Sequence, residues 1–194
     1  MMMNTNIKKV TRVGVLSAVA AILFLIPGIP IFPPIYKLDF STLPPLLGGF
    51  AMGPVAGVVI TFIKAAIGCI TSASRGVGEL ADFLVSSALV VSASLIYRRN
   101  RTLKGALIGM GVGIVLMTAV GALANYYVLI PFYQNVRGIP VEAIVGMMKA
   151  IIPAIDSLWD MILMVTVPFN LIKGTVLCVI TGLLYKRLSR FLHG

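Results

Sequence analysis

Three polar side chains lie within stretches of the sequence that are otherwise strongly apolar. Lys173 stands near the middle of the last apolar segment, and no other charged residue occurs between Asp160 and Lys186. A charge at the centre of a bilayer costs about 2.5–3.5 kcal/mol on insertion scales, so such a residue indicates a functional site by default. Asn170 precedes Lys173 by three residues, which places both side chains on one helix face. Asn125 is a second amide within an apolar segment.

These residue types favour a particular kind of ligand. An Asn amide offers a donor and an acceptor, whereas Lys offers only donors. The combination suits a neutral heterocycle with alternating carbonyl and N–H groups better than a bare cation. Pro168 is expected to bend the helix just before the pair, because proline lacks a backbone donor.

Structural roles remain open for the same residues. An interhelical hydrogen bond is the alternative for Asn125. The alternative for Lys173 is an ion pair with one of three acidic residues: Asp82, Asp156 and Asp160. Three further charged residues near the ends of predicted helices can reach the membrane surface or pair with one another: Lys64, Glu79 and Asp82.

The composition indicates an integral membrane protein. Of the 194 residues, 59% are hydrophobic and 11% are charged, whereas soluble domains carry about 45–50% and about 25%. The lone histidine, His193, is the penultimate residue, and Cys69 and Cys178 lie far apart in apolar runs. We therefore expect no histidine-based catalysis, disulfide framework or metal site. No GxxxxGK[ST] motif occurs, so the chain has no P-loop for ATP hydrolysis.

Apolar stretches predict the membrane spans. They lie at roughly 10–28, 40–74, 77–97, 103–130 and 157–185. Since one span takes about 20 residues, four stretches are single helices. The stretch 40–74 breaks at Gly53-Pro54 into two short spans of about 17 residues each. A single long helix is the alternative for this stretch.

The distribution of cations predicts the topology. Ten of the 16 cations form three clusters without any acidic residue: Lys8, Lys9 and Arg12; Arg98, Arg99, Arg101 and Lys104; Lys186, Arg187 and Arg190. If all three clusters are cytoplasmic, an even number of spans separates them. We therefore predict an all-α integral membrane protein that forms one domain over 1–194, with six transmembrane helices and both termini cytoplasmic. The predicted outer loops are 29–39, Ser72–Gly76 and 131–156.

The net charge of +10 is then an orientation signal and not a sign of nucleic-acid binding. The six cations outside the clusters are matched by the six acidic residues, so the remainder of the chain is formally neutral. This neutrality favours an uncharged ligand. In the first helix, small residues at helical spacing allow close packing either within the chain or against a partner: Gly14 with Ala18, and Ser17 with Ala21.

Several segments together resemble a known family. They are LDFSTLPPLLGGFAMGPVAG (38–57), GVGELADFL (76–84), ANYY with IPFY (124–133) and VPFNLIKG (167–174). In this order, over nearly the whole chain, they resemble the substrate-binding S component of energy-coupling factor (ECF) vitamin transporters, specifically the riboflavin-binding RibU type. PFNLIKG is the most specific element, followed by the LPxLLGGF–GP pattern.

The resemblance implies a six-helix bundle around a pocket that opens to the outside and is capped by the loop between the first two helices. It implies that Asn170, Lys173 and Asn125 contact the isoalloxazine ring of riboflavin. It also implies that loop residues line the pocket near the ribityl chain: Asp39, Phe40, Thr42 and Leu43. Gly78 and Glu79 match a turn before the fourth helix, whereas Asp82 departs from the pattern, in which Asn is usual.

The resemblance also implies partners and a location. The small-residue face of the first helix, with Gly14, Ser17, Ala18 and Ala21, would meet a transmembrane coupling subunit that works with two ATP-binding subunits. The location would be the plasma membrane of a prokaryote. The chain would not be an enzyme, and it would carry no cofactor besides the transported riboflavin.

Other functions remain as alternatives. FMN would need a cluster of Arg or Lys donors for its phosphate. Another vitamin, such as thiamin, biotin or a pyridoxine-like compound, is possible in the same kind of pocket, although Lys173 disfavours cationic thiamin. A membrane enzyme would need paired Asp or His residues at depth, whereas the acidic residues here cluster near helix ends. A purely structural membrane protein would not explain Lys173 and Asn170.

Overall fold

The computed structural model describes residues 5–32, 36–72 and 74–193, and the side chains of 7–32, 36–72 and 74–184. Within these residues the chain forms seven helices and one two-stranded ribbon. The helices are α1 (Thr5–Leu25), α2 (Leu43–Met52), α3 (Pro54–Ile70), α4 (Val77–Arg99), α5 (Leu103–Arg137), α6 (Val141–Lys149) and α7, which begins at Leu158 and ends at His193. The side chains of the third cationic cluster, Lys186, Arg187 and Arg190, lie outside the described residues.

The segment between α1 and α2 contains a short antiparallel ribbon. Strand β1 (Ile29–Phe32) pairs with β2 (Tyr36–Leu38), with Ile29 opposite Leu38. We predicted a loop over 29–39, and the structure shows that this connection contains a ribbon. It packs with α6 at one end of the helical bundle, which we call the ribbon end.

The predicted break in the stretch 40–74 is confirmed. Gly53 has φ of 97°, a backbone conformation that suits glycine, and Pro54 is the first residue of α3. Proline is favourable at this position because the first N–H of a helix has no partner within it. The two parts are unequal, since α2 has 10 residues and α3 has 17. At about 1.5 Å per residue α2 is about 15 Å long, shorter than the predicted span.

Three helical segments in the described residues are long and apolar enough to cross a membrane. They are Val77–Arg99, Leu103–Arg137 and Leu158–Leu184. Two further apolar helices are shorter, Leu43–Met52 and Pro54–Ile70. The chain is thus mostly helical with three candidate membrane spans, and these lengths do not confirm the predicted count of six spans.

The segment 131–156, which we predicted as a loop, is largely helical. Helix α5 continues to Arg137 and ends at Gly138, whose φ of 65° is left-handed. Helix α6 follows and buries Ile144 and Met148 against the ribbon end. The proline-rich composition led us to predict a loop. In the structure Pro131 closely follows the π turn Asn125–Leu129, and the helix continues through it.

Two π turns explain how long helices accommodate their prolines. In α5 the π turn Asn125–Leu129 precedes Pro131, and the Ile130 N–H bonds the carbonyl oxygen of Asn125. In α7 the π turn Ile162–Thr166 precedes Pro168 in the same way. Because the wider turn shifts the hydrogen-bond register, each helix continues past a residue that has no N–H. The irregularity expected near Pro168 is therefore a π turn.

Helices α4 and α5 approach closely along a row of glycines. Gly105, Gly109 and Gly113 recur every four residues on one face of α5. A Cβ atom at Gly109 would lie 2.7 Å from the carbonyl oxygen of Ala93 in α4. Small residues at such a spacing let two backbones meet without intervening side chains.

Replacing Gly109 by alanine is expected to destabilise the bundle, because the added methyl group meets backbone atoms that cannot rotate away. Overpacking of this kind costs about 1–3 kcal/mol. Gly111→Ala is the matched control, since a Cβ there has no neighbour within 4 Å. Thermal unfolding in detergent should show a lower midpoint for Gly109→Ala only. Equal midpoints for the two variants would contradict this close approach.

Candidate ligand-binding site

The π turns bring polar groups of α5 and α7 together near the ribbon. Asn125 is the first residue of the π turn in α5, and Thr166 is the last residue of the π turn in α7. The side chains of both residues are buried. Single π turns inside α-helices are frequent at functional sites, and here they place two polar side chains at one junction.

Tyr36 of β2 connects these two helices. Its hydroxyl donates to Oδ1 of Asn125 at 3.1 Å and lies 2.7 Å from Oγ1 of Thr166. Since the phenol has one proton, we infer that Thr166 donates to Tyr36. Burial raises the pKa of Tyr36 to about 12, so the phenol keeps its proton at physiological pH.

The two amides keep hydrogen-bonding capacity for a ligand. Nδ2 of Asn125 donates to the carbonyl oxygen of Gly121 at 2.9 Å, and Nδ2 of Asn170 donates to that of Thr166 at 2.9 Å. Among the described residues no group donates to Oδ1 of Asn170. We call Tyr36, Asn125, Thr166 and Asn170 the amide group. It presents a free acceptor and spare N–H donors in a buried setting.

Gly121 determines how closely Asn170 approaches α5. A Cβ at this position would lie 2.6 Å from Nδ2 of Asn170. A Cβ at this position would therefore force the Asn170 amide to move from where it lies. The sequence analysis missed Gly121, although its position four residues before Asn125 places both on one helix face.

Two buried lysines and two partly buried aspartates lie beside the amide group, on α3, α4, α7 and the segment before α2. Nζ of Lys173 is 2.8 Å from Oδ2 of Asp39 and 3.4 Å from Oδ1 of Asp82. Nζ of Lys64 is 2.6 Å from Oδ2 of Asp82. We call Lys64, Lys173, Asp39 and Asp82 the charge cluster. With two cations and two carboxylates it is formally neutral, and each buried cation has an opposite charge in contact.

Asp39 is held as a carboxylate. Burial by itself raises its pKa, but the charges of Lys173 and Lys64 hold the pKa below its ordinary value. The backbone N–H of Ser41 donates to Oδ1 of Asp39 at 2.9 Å, and the Ser41 hydroxyl bonds the same oxygen. Lys64 in turn donates to the Ser41 hydroxyl at 3.1 Å. The hydrogen bond from Lys64 and the ion pair with Lys173 therefore hold the segment before α2 against α3 and α7.

An apolar cavity of about 140 Å³ adjoins the amide group at the ribbon end. An engineered apolar cavity of about 150 Å³ takes up benzene, so this space suits one aromatic ring. Tyr36 and Asn125 bring polar atoms to its lining. The other lining residues come from α5, α6, α7 and the connection between α5 and α6: Leu129, Ile130, Tyr133, Ile139, Ile144, Met147 and Met161.

Three further residues of the first loop were predicted to line the pocket: Phe40, Thr42 and Leu43. Thr42 is fully buried, and its hydroxyl lies 3.0 Å from that of Ser86. Leu43 is half-buried and packs against Leu89 and Met117 in the bundle core. Phe40 is half-buried as well, and its place in the lining of the pocket stays a prediction.

Gly78 and Glu79 serve the turn between α3 and α4. Glu79 accepts hydrogen bonds from the hydroxyls of Ser72 at 2.6 Å and Ser74 at 2.8 Å. The backbone N–H of Gly78 donates to Oγ of Ser74 at 2.9 Å. These contacts do not join the amide group or the charge cluster, so a role of the two residues in ligand binding stays a prediction.

The small residues of α1 point in two directions. Ser17 and Ala21 are buried within the chain, whereas Gly14 and Ala18 are exposed. A Cβ at Gly14 would have no neighbour within 4 Å. Ser17 and Ala21 therefore pack within the chain, whereas Gly14 and Ala18 form a small-residue surface on the outside of the bundle.

Three polar residues of the site were not singled out as ligand-binding by the sequence analysis. Tyr36 lies in the ribbon, and no short-range pattern connects it to α5 or α7. Thr166 stands four residues before Asn170, so helical spacing could have found it. Ser41 could be identified only from the folded segment before α2, which brings it to Asp39 and Lys64. Within the described residues, no three His, Cys, Asp or Glu side chains lie together as metal ligands.

Comparison with known proteins gives a consistent result. The family described as ECF transporter, substrate-specific component, matches residues 8–185. The riboflavin transporter RibU of Staphylococcus aureus is 34% identical over 95% of this chain and 92% of its own. The riboflavin transporter FmnP of Bacillus subtilis is 26% identical over 97% and 95% of the two chains.

A solved structure agrees with these sequence comparisons. It comes from work on the structure and mechanism of the S component of a bacterial ECF transporter. It superposes on this chain with a TM-score of 0.75 and 33% identity, covering 97% of this chain and 99% of the other. The chain therefore belongs to the family of substrate-specific components of ECF transporters.

Proposed function

We propose that this chain is a membrane-embedded S component that captures riboflavin outside the cell for uptake driven by ATP-hydrolysing partner subunits. Membership in the family already makes it a transport component and not an enzyme. The observation that carries the proposal is a ring-sized apolar cavity lined by Asn125, with the buried amide of Asn170 in the same amide group. The names of the relatives as riboflavin transporters support the same ligand.

The chemistry of riboflavin matches this arrangement group by group. Its dimethylbenzene end is flat and apolar, as the cavity walls are. Its imide edge alternates carbonyl and N–H groups, which an Asn amide complements with a donor and an acceptor. The hydroxyls of the ribityl chain suit the polar segment Asp39–Thr42, which lies beside the charge cluster.

The neutrality of the charge cluster favours riboflavin over FMN. Both lysines in it already contact carboxylates, so neither is a spare donor for a phosphate. A phosphorylated ligand would need additional cations. We therefore propose the uncharged flavin as the substrate and keep FMN as the alternative.

We further propose six membrane spans, with both termini cytoplasmic, in the plasma membrane of a prokaryote. One observation supports an even number of spans between the first two cationic clusters. Lys9 of the first cluster and Arg98 and Arg101 of the second line one cavity at the end opposite the ribbon. In this arrangement α2 is a short span, and α6 lies at the outer surface.

Titration of riboflavin with the detergent-purified protein is expected to quench flavin fluorescence at micromolar protein or below. The quenching follows from burial of the ring beside Tyr36 and the amides. The same titration with FMN should give weaker binding, and thiamin and biotin should not compete. Absent flavin quenching together with a clear response to another vitamin would overturn the riboflavin assignment.

Asn170→Ala and Lys173→Ala are each expected to weaken riboflavin binding by at least about tenfold, which corresponds to about 1.4 kcal/mol. The first removes the free amide acceptor, and the second releases Asp39 from α7. Lys149→Ala is the matched control, because its ion pair with Asp156 is exposed. Size-exclusion elution should show that all three variants remain folded. Unchanged affinity in both site variants would give these residues a structural role only.

Helix α1 is proposed as the contact with the transmembrane coupling subunit, through the exposed pair Gly14 and Ala18. Ala18→Trp should therefore leave riboflavin binding intact and block uptake in cells that carry the partner subunits, because the indole separates the two helices. Val115→Trp, at a site that is 65% exposed on α5, is the control. Normal uptake by Ala18→Trp would contradict this interface.

A further inference from the structure

A second cavity, of about 330 Å³, lies at the end of the bundle opposite the ribbon. It forms where the start of α1, the junction of α2 and α3, and the end of α4 meet. Three cations line it: Lys9, Arg98 and Arg101. Its remaining wall includes the Gly53-Pro54 junction and the side chain of Ser94.

The charge of this cavity is unbalanced. None of the six acidic residues of the chain lines it. In the described residues, none of the ion pairs found involves Lys9, Arg98 or Arg101. The three cations of the cavity therefore face no carboxylate. Their positive potential favours an anion.

A buried hydroxyl in the cavity wall has no partner in the described residues, as is also the case for Ser17, Ser87 and Thr181 elsewhere in the bundle. The side chain of Ser94 is 1% exposed, and its hydroxyl has no hydrogen-bond partner in the described part of the chain. Buried polar groups nearly always have a partner, so an orphan of this kind needs an explanation. Its hydroxyl can donate to an anion oxygen in the cavity that it lines.

The start of α3 supplies further donors at the same place. Pro54 and Val55 line the cavity. Pro54 has no N–H, so the first free backbone donor of α3 is the N–H of Val55. Together with the helix dipole, this donor favours negative charge. Cations, a hydroxyl and the start of α3 thus surround one space, which the last turn of α2 and the end of α4 also border.

The surroundings of the cavity are those of a lipid site. Val55, which lines it, is 75% exposed, and Val10, which follows Lys9, is 71% exposed. Apolar side chains beside an anion site suit acyl chains, whereas a free anion would gain nothing from them. We propose that this cavity binds the phosphodiester headgroup of an anionic phospholipid. The inference rests on the membrane orientation proposed above, which places the cavity in the cytoplasmic leaflet, and does not depend on the identity of the vitamin.

The test uses the full chain in detergent, titrated with phosphatidylglycerol and followed by native mass spectrometry. The variant Lys9→Gln/Arg98→Gln/Arg101→Gln should bind this lipid about fivefold more weakly for each cation removed. The matched control Lys8→Gln/Arg99→Gln/Lys104→Gln removes the same charge from the same clusters outside the cavity and should lose much less affinity. Equal losses in the two variants would reduce the effect to general surface attraction and overturn the proposal.

Ser94→Ala provides a test that leaves the charge unchanged. It should weaken phosphatidylglycerol binding severalfold, with riboflavin binding retained as the sign of an intact fold. Unchanged lipid affinity in this variant would overturn the role of the hydroxyl. The lipid affinity of the triple cation variant would then be the sole test of the site. Inorganic phosphate that competes as well as the lipid would overturn the lipid assignment, and phosphatidylcholine should bind weakly. Because riboflavin is measured separately, failure of the vitamin assignment would leave the lipid result interpretable.

Discussion

The contact of Lys173 with Asp39 and Asp82 is the interaction on which the arrangement of the site depends. It joins α7 to the segment before α2 and to α4, and Lys64 extends the connection to α3. Removing one partner of a buried ion pair costs about 3–5 kcal/mol, because an uncompensated charge stays behind. The four elements are therefore held in one geometry. This geometry brings the polar segment Asp39–Thr42 beside the residues that we propose as ligand contacts.

Irregular backbone places the amide group within this frame. In a regular α-helix each carbonyl oxygen accepts from the N–H four residues later. The side chains of Asn125 and Thr166 would then point in other directions. The π turns shift that register just before Pro131 and Pro168, while Gly121 leaves space for Asn170. Such features are tolerated at membrane depth where the surrounding protein satisfies the backbone groups.

The two ends of the bundle differ in electrostatics, and the difference follows from their tasks. In the charge cluster, cations and carboxylates are paired, so the proposed site suits an uncharged molecule and an apolar ring. At the end opposite the ribbon, cations of two helices gather without carboxylates. The positive charge that we propose as the orientation signal thus also forms a cavity that we propose as a site for anionic headgroups.

Much of the site could be read from residue types alone. Lys173, Asn170 and Asn125 stood out because charged and amide side chains are costly in lipid, and the family was recognisable from ordered segments such as VPFNLIKG. The break at Gly53-Pro54 was predictable because both residues have strong local conformational preferences. Pairing between Lys64 and Asp82 was one of several open possibilities.

Other features were decided only by the tertiary structure. Tyr36 reaches Asn125 and Thr166 across 89 and 130 residues of sequence, and no periodicity encodes a contact of that range. The ribbon and α6 were missed because proline-rich composition describes local tendency and not the packing that overrides it. The sequence alone therefore determined the membrane setting, the polar residues at depth and the family. The folded chain decided which charges pair, which small residues face outward and where a ring-sized space remains, because these depend on distances between helices.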